Sequence, residues 1–408
     1  MSCDHLCSFS LPSLMCGERS ATREHTRLSV ERYASSRALP AVEWDQLTSE
    51  ATPLLDLAQL EAFERAELQG ERHLIALRQE GALVAVALLH TTPFHGPSIT
   101  EIIQARAPRT AWALSALGVG VSPLDARLLV CGGSAASQGP ALHISPNVDR
   151  AQALKVIATE AQAIMRASVG PRPILAVLFQ GAPELGALSG LTQAGFTRFE
   201  SDPSLALTLD PRWVDFDDLL ASLTSKYRVK AKRADALSSE LEQVALDAQG
   251  ARLWREALHA TYEQVTERAT FCVRATELDA LPELLEAQPE RYSLSAYLAQ
   301  DELIGFRLSV HEGDTLYAQL VGINYEKNRT FGLYPRMLND YIREGLERGC
   351  RVVDLGRTAG EIKSTLGALP SATELYLTHA HPLMSWALPY IAQRVTPATH
   401  KQHQPFKR

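Results

Sequence analysis

Short apolar runs of strand length alternate along the chain with stretches whose apolar residues recur every three or four positions, the pattern of a mixed α/β protein. Leu54, Leu57, Leu60 and Phe63 share one face of a predicted helix. The period then shortens. Leu74 to Leu77 and Leu83 to Leu89 are two strand-like runs flanking Arg78-Gln79-Glu80-Gly81-Ala82, which predicts a hairpin turning at its glycine. The pattern returns in Leu294 to Ala299, a turn at Gln300-Asp301-Glu302, and Leu303 to His311. Each hairpin is later followed by an amphipathic helix that stops at a glycine and leads into an apolar strand. These are Ala151 to Val169, Gly170 and Ile174 to Phe179 in the first half, and Pro335 to Arg348, Gly349 and Arg351 to Leu355 in the second. The chain therefore reads as an internal duplication, with extra residues in the first copy between Thr91 and Asn147. Between the copies, Trp213 to Leu237 and Leu253 to Thr266 have helical spacing.

A length of 408 residues exceeds one ordinary core, and 46% hydrophobic with 21% charged residues describes a soluble globular protein. The predicted organisation is a disordered tail over 1–40, a first domain over 41–210, a helical connector over 211–270, a second domain over 271–395 and a tail over 396–408. The run Leu6 to Cys16 only superficially suggests a leader, because no Lys or Arg precedes it and Ser8, Ser10, Pro12 and Ser13 interrupt it. No apolar stretch reaches the ~18 residues a spanning helix needs. The net charge of −7 gives no global attraction to nucleic acid or anionic membrane. Six cysteines, three of them Cys3, Cys7 and Cys16 and the others scattered, make no disulfide framework, so a reducing cytoplasm is expected. No metal site is predicted: Cys3, His5, Cys7 and Cys16 lack zinc spacing, and His379 and His381 read as a polar turn. Cys131 reads as a buried structural thiol.

The strongest candidate for chemistry is Asn324 to Leu338, read as a loop turning from a strand, Leu316 to Ile323, into a helix that starts near Pro335. Such a turn aims unpaired backbone N–H groups and the positive end of the helix dipole at one spot, suited to a pyrophosphate. Asp354 to Lys363 follows a strand end, where open α/β sheets place ligands. There Asp354 could orient or deprotonate an amine, Arg357 could hold a carboxylate or phosphate, and Lys363 adds a cation. Asp354 paired with Arg357 to fix a turn is the alternative. A basic run, Lys226-Tyr227-Arg228-Val229-Lys230-Ala231-Lys232-Arg233, spreads its cations around a helix and reads as a solvated face or as a contact with a polyanion such as tRNA.

Arg329-Thr330-Phe331-Gly332-Leu333-Tyr334 resembles the R/Q-x-x-G-x-G/A loop with which GNAT acyltransferases hold the coenzyme A pyrophosphate, Tyr334 standing where the last small residue belongs. Tyr292 to Gly367 is similar to the GNAT-like domain of bacterial proteins related to cellulose or peptidoglycan biosynthesis and to Fem aminoacyltransferases. Leu303-Ile304-Gly305-Phe306, Val353-Asp354-Leu355-Gly356-Arg357 and Ile362-Lys363 carry that similarity. Leu128 to Gly133 with Gly139 and His143 extends it more weakly into the first half.

The resemblance implies tandem GNAT-like domains, α/β with mixed twisted sheets flanked by helices, and an N-acyltransferase acting on an amine. The second copy would be the active one, since Ser145 to Asp149 precedes the equivalent helix of the first. An acetyl-CoA or other acyl-CoA donor is implied, with aminoacyl-tRNA as the alternative, and a small-molecule or envelope-precursor acceptor. Glu326, Tyr317 and Asp354 are then candidates for catalysis, Arg329 to Tyr334 for the donor, and Arg357 and Lys363 for the acceptor. The rival functions are a non-catalytic binding module built on the same shell and a tRNA-dependent Fem-like aminoacyltransferase.

Overall fold

Thirteen strands join in one mixed sheet in the computed structural model, which describes residues 28–49, 51–66, 70–96, 104, 108–116, 124–132, 141–169, 173–181, 189–268, 276–393 and 400–407. Cys3, His5, Cys7, Cys16, Gly133, Gly139, Gly170 and Cys272 lie outside the described residues. The first half supplies β1 (Ser29–Tyr33), β2 (Arg72–Gln79), β3 (Ala82–Gly96), β4 (Leu124–Cys131), β5 (Leu142–Ile144), β6 (Ile174–Gly181) and β7 (Thr197–Thr208). The second supplies β8 (Glu242–Leu246), β9 (Tyr292–Ala299), β10 (Glu302–Glu312), β11 (Thr315–Ile323), β12 (Val352–Asp354) and β13 (Leu369–His379). Both expected hairpins form. Their two-residue turns have positive φ at Glu80 and Gly81 and at Gln300 and Asp301, the geometry that matches the strands' twist.

The duplication is visible element by element. Each half begins with an edge strand (β1 or β8) paired antiparallel to the hairpin, and continues through the hairpin, a third strand (β4 or β11), a long helix and two more strands. The long helices are Arg150–Ala167 and Leu333–Glu347, each burying one apolar face against its own half of the sheet. The last strands, however, are exchanged. The sheet runs β1-β2-β3-β4-β6-β13-β7-β12-β11-β10-β9-β8, so β13 pairs with β6 of the first half while β7 pairs with β12 of the second. β7 and β13 lie side by side, antiparallel, at the centre.

Several expectations need correcting. The tail expected up to residue 40 contains β1, whose Val30 and Tyr33 pack on apolar clusters while Glu31 accepts hydrogen bonds from Arg78. The C-terminal tail is packed over residues 400–407. Phe406 bridges to Leu223, and Gln402 Nε2 donates to the Ala368 carbonyl at 3.0 Å. That bridge also breaks the single helix expected over Trp213 to Leu237 into Phe216–Ser222 and Ser225–Leu237, because the Thr224 amide donates to Pro405 instead of continuing the helix. The expected connector is no separate element: β8 is the edge of the second half's sheet, and Arg255–Arg268 packs over β10 and β11. No helix among the described residues is long and apolar enough to cross a membrane.

Candidate active site

β11 and β12 pair in parallel over only three positions, Thr315 with Val352, Leu316 with Val353 and Tyr317 with Asp354. Beyond them the chain leaves β11 and follows β7: Leu355 donates to the Leu205 carbonyl at 2.8 Å, and Leu205 to that of Gly356 at 3.1 Å. β11 runs on to Ile323 with one edge open. On its other edge a bulge interrupts the pairing with β10, since Leu320 faces Leu308 and Ala318 faces Ser309, which leaves Gln319 with no partner on β10. Buried Tyr341, from Leu333–Glu347, sets its hydroxyl 2.9 Å from the Leu320 carbonyl and 3.2 Å from that of Leu308. Among the described residues the first half shows no such gap. There β4 and β6 stay paired from Arg127 with Ile174 to Cys131 with Phe179, and Cys131 is a buried thiol against the Ala141 carbonyl.

The gap is a cavity of about 230 Å³. Ala318 to Val321 wall one side and Leu355 to Thr358 the other, Tyr262 and Val265 come from one flanking helix, and Tyr334, Leu338 and Tyr341 come from another. Lys363 lines it and is only 3% exposed. Its Nζ donates to the Gly356 carbonyl at 3.0 Å and to that of Arg357 at 2.6 Å. Burial lowers its pKa to about 7, partly opposed by Asp354. Asp354 is itself buried, which raises its pKa; Ser204 Oγ donates to it at 2.5 Å and the Gly356 amide at 2.8 Å. Arg357 donates to Ser201 Oγ at 3.2 Å. Thr358 and Ala359 both have positive φ, a strained pair that turns the chain back over the cavity into the short helix Gly360–Ser364.

The structure thus brings together Asp354, Arg357 and Lys363, with Tyr334 half-buried in the same wall and its phenol pKa raised by burial. It does not add the other candidates to them. Tyr317 is the cross-strand neighbour of Asp354 but packs into the apolar cluster under Arg255–Arg268 and not into the cavity lining, and Glu326 is exposed. The stretch read as a phosphate loop is a helix, Tyr325–Phe331, because the Asn324 side chain caps it by accepting from the Glu326 and Lys327 amides. Gly332, at φ 57°, ends that helix and starts the next, donating to Asn328, while the Tyr334 amide donates to Asn328 Oδ1 at 2.9 Å. Arg329 and Thr330 are exposed on the short helix, Phe331 is half-buried and Leu333 is buried. The amides needed to cradle a pyrophosphate there are largely committed within the protein.

Sequence reasoning missed the contributions of the first half, Gln180, Ser201 and Ser204, which reach the site only because the last strands are exchanged. His379 and His381 close a turn after β13, the His381 amide donating to His379 Nδ1 at 2.9 Å. Among the described residues no group of three or more His, Cys, Asp or Glu is placed to hold a metal ion.

An open-edged third strand facing a diverging neighbour, in the second of two halves with like element order, is the arrangement of a tandem acyltransferase fold. Residues 222–364 match the model of the acetyltransferase (GNAT) domain. Among solved structures, a tandem GNAT protein from the clavulanic acid biosynthesis pathway aligns over 87% of this chain and 99% of its own, at 11% identity and a TM-score of 0.51. FemX aligns over 85% of this chain and 96% of its own, at 15% identity and a TM-score of 0.47. No curated protein matches the sequence. The chain has a tandem GNAT fold, and its second half carries the GNAT domain.

Proposed function

We propose that the protein is an N-acyltransferase that moves an acyl group from a coenzyme A thioester to an amine in the gap between β11 and β12. The observation that carries this reading is the gap itself. The open edge of β11 offers backbone groups to an extended acyl arm, and a buried lysine lines the same cavity. A bound thioester supplies an electrophilic carbonyl and a thiolate leaving group. As a neutral amine, Lys363 uses its two N–H groups on the Gly356 and Arg357 carbonyls, which leaves its lone pair to take the proton from the attacking nitrogen. Asp354 stabilises the lysinium that results, and Lys363 returns that proton to the departing thiolate as the C–S bond breaks and the amide forms. Arg357, beside Ser201, would hold an anionic group of the acceptor.

The test is release of free thiol from acetyl-CoA in the presence of a panel of primary amines. Wild-type protein should release it with at least one amine, and Lys363→Met should slow release by about 10² or more, the scale of lost general-base catalysis. Equal rates from the two proteins would remove Lys363 from the mechanism.

A further inference from the structure

The committed amides at Gly332 and Tyr334 leave open where the charged end of a donor is held, and the basic helix Ser225–Leu237 offers an answer. It lies alongside Leu333–Glu347, with Ala231 and Ala234 buried in the contact and Asn339 Nδ2 donating to the Ala231 carbonyl at 3.0 Å. Its C-terminal end meets the helix corner: a Cβ on Gly332 would lie 3.3 Å from Leu237 Cδ1. With its alanines turned inward, the helix keeps its cations outward. Lys226, Lys230 and Arg233 recur four and three residues apart and so share a face. None of the five cations from Lys226 to Arg233 forms an ion pair with a described residue, although the chain as a whole is acidic.

Lys230 also lines a second cavity, of about 550 Å³, with Leu205, Thr358 to Ile362 and His400. Thr358 belongs to the walls of both cavities, so the strained turn at Thr358 and Ala359 is the rim between the acyl-transfer gap and this vestibule. Two acids, Asp202 and Glu361, stand in the vestibule wall, and His403 faces Glu361 at 3.4 Å.

Resting on the acyltransferase reading, we infer that the phosphates of the donor are held by the side chains of Lys226, Lys230 and Arg233 at this vestibule and not by a backbone loop at residues 329–334. The ligand class is a phosphate-bearing thioester, its acyl end crossing the Thr358 rim into the gap. Side-chain ammonium and guanidinium groups replace backbone amides as the source of charge-assisted hydrogen bonds.

The experiment measures binding by calorimetry with two probes, acetyl-CoA and phosphate-free S-acetylpantetheine. The proteins are wild type, a triple variant Lys226→Gln, Lys230→Gln, Arg233→Gln, and a control Lys226→Arg, Lys230→Arg. Circular dichroism melts establish that each is folded. The expected result is about tenfold or more weaker binding of acetyl-CoA by the glutamine variant, unchanged binding of S-acetylpantetheine, and retained acetyl-CoA affinity in the arginine control. Unchanged acetyl-CoA affinity in the glutamine variant overturns the inference while leaving the acyltransferase reading intact. Wild-type protein that binds neither thioester overturns both, as does wild-type protein that binds tRNA through these cations and no thioester.

Discussion

Lys363 shows how a residue type gains chemical meaning from its surroundings. In the sequence it is one cation after a strand end; in the fold it is a buried amine held by two carbonyls near a buried carboxylate. Its pKa of about 7 implies that the rate of acyl transfer, with a weakly basic amine as acceptor, rises as pH increases through about 7 and levels off above it, since the neutral form accepts the proton. A rate profile flat between pH 6 and 8.5 would count against Lys363 as the base. Asp354, Arg357 and Lys363 were legible in the sequence because all three sit within one turn's reach of a single strand end, where local position implies spatial proximity. Glu326 and Tyr317 were not separable from them, because exposure and contact with the cavity depend on packing. The bulge at Gln319 shifts the side-chain alternation of β11 by one place, which no period-two reading anticipates.

At the level of elements, Leu333–Glu347 is fastened to the sheet by charge as well as by apolar contact. Arg307 on β10 is buried against Glu344 of the helix, and Ser309 Oγ donates to the same carboxylate at 2.7 Å. Tyr297 donates to Asp340 at 2.8 Å, and Arg336 and Arg343 bind the same carboxylate. Burial alone would raise the Glu344 pKa, but Arg307 and Ser309 hold it below its ordinary value. That contribution is present above pH 4.5 and is lost as pH falls through the lower native value. Glu344→Gln should cost about 3–5 kcal/mol in denaturant unfolding, because the Arg307 charge is left buried without its carboxylate, and adding Arg307→Met should restore much of it. A single variant within ~0.5 kcal/mol of wild type would show the pair to be dispensable. The helix itself was legible from its apolar spacing. So was its start near Pro335, but the segment before it was not: Asn324 is a strong cap, and a capped helix of seven residues, too short to show a period, occupies what reads as a loop.

For the whole molecule, the duplicated order of elements was legible, but the exchange of β7 and β13 was not. Sequence order specifies which strands exist, and only tertiary pairing specifies which half each joins. The exchange makes the halves mutually dependent, since each alone lacks the strand that covers a central sheet edge. The full chain should therefore unfold in one cooperative transition. Fragments 28–210 and 211–407 should be insoluble when made separately and form a stable pair when co-expressed. A soluble 211–407 fragment with its own sharp thermal transition would refute this interdependence. A gene holding one such unit would encode a chain whose final strand has no place in its own sheet, and two of these chains would close by trading strands about a two-fold axis. Fusing the copies end to end converts that symmetric pair into one molecule whose halves are free to diverge. The closed pairing of β4 with β6 and the open gap beside β11 are two outcomes of one order of elements. The hydroxyls of Ser201 and Ser204, which support the site from the opposite half, stand where the interface of such a two-chain pair would run.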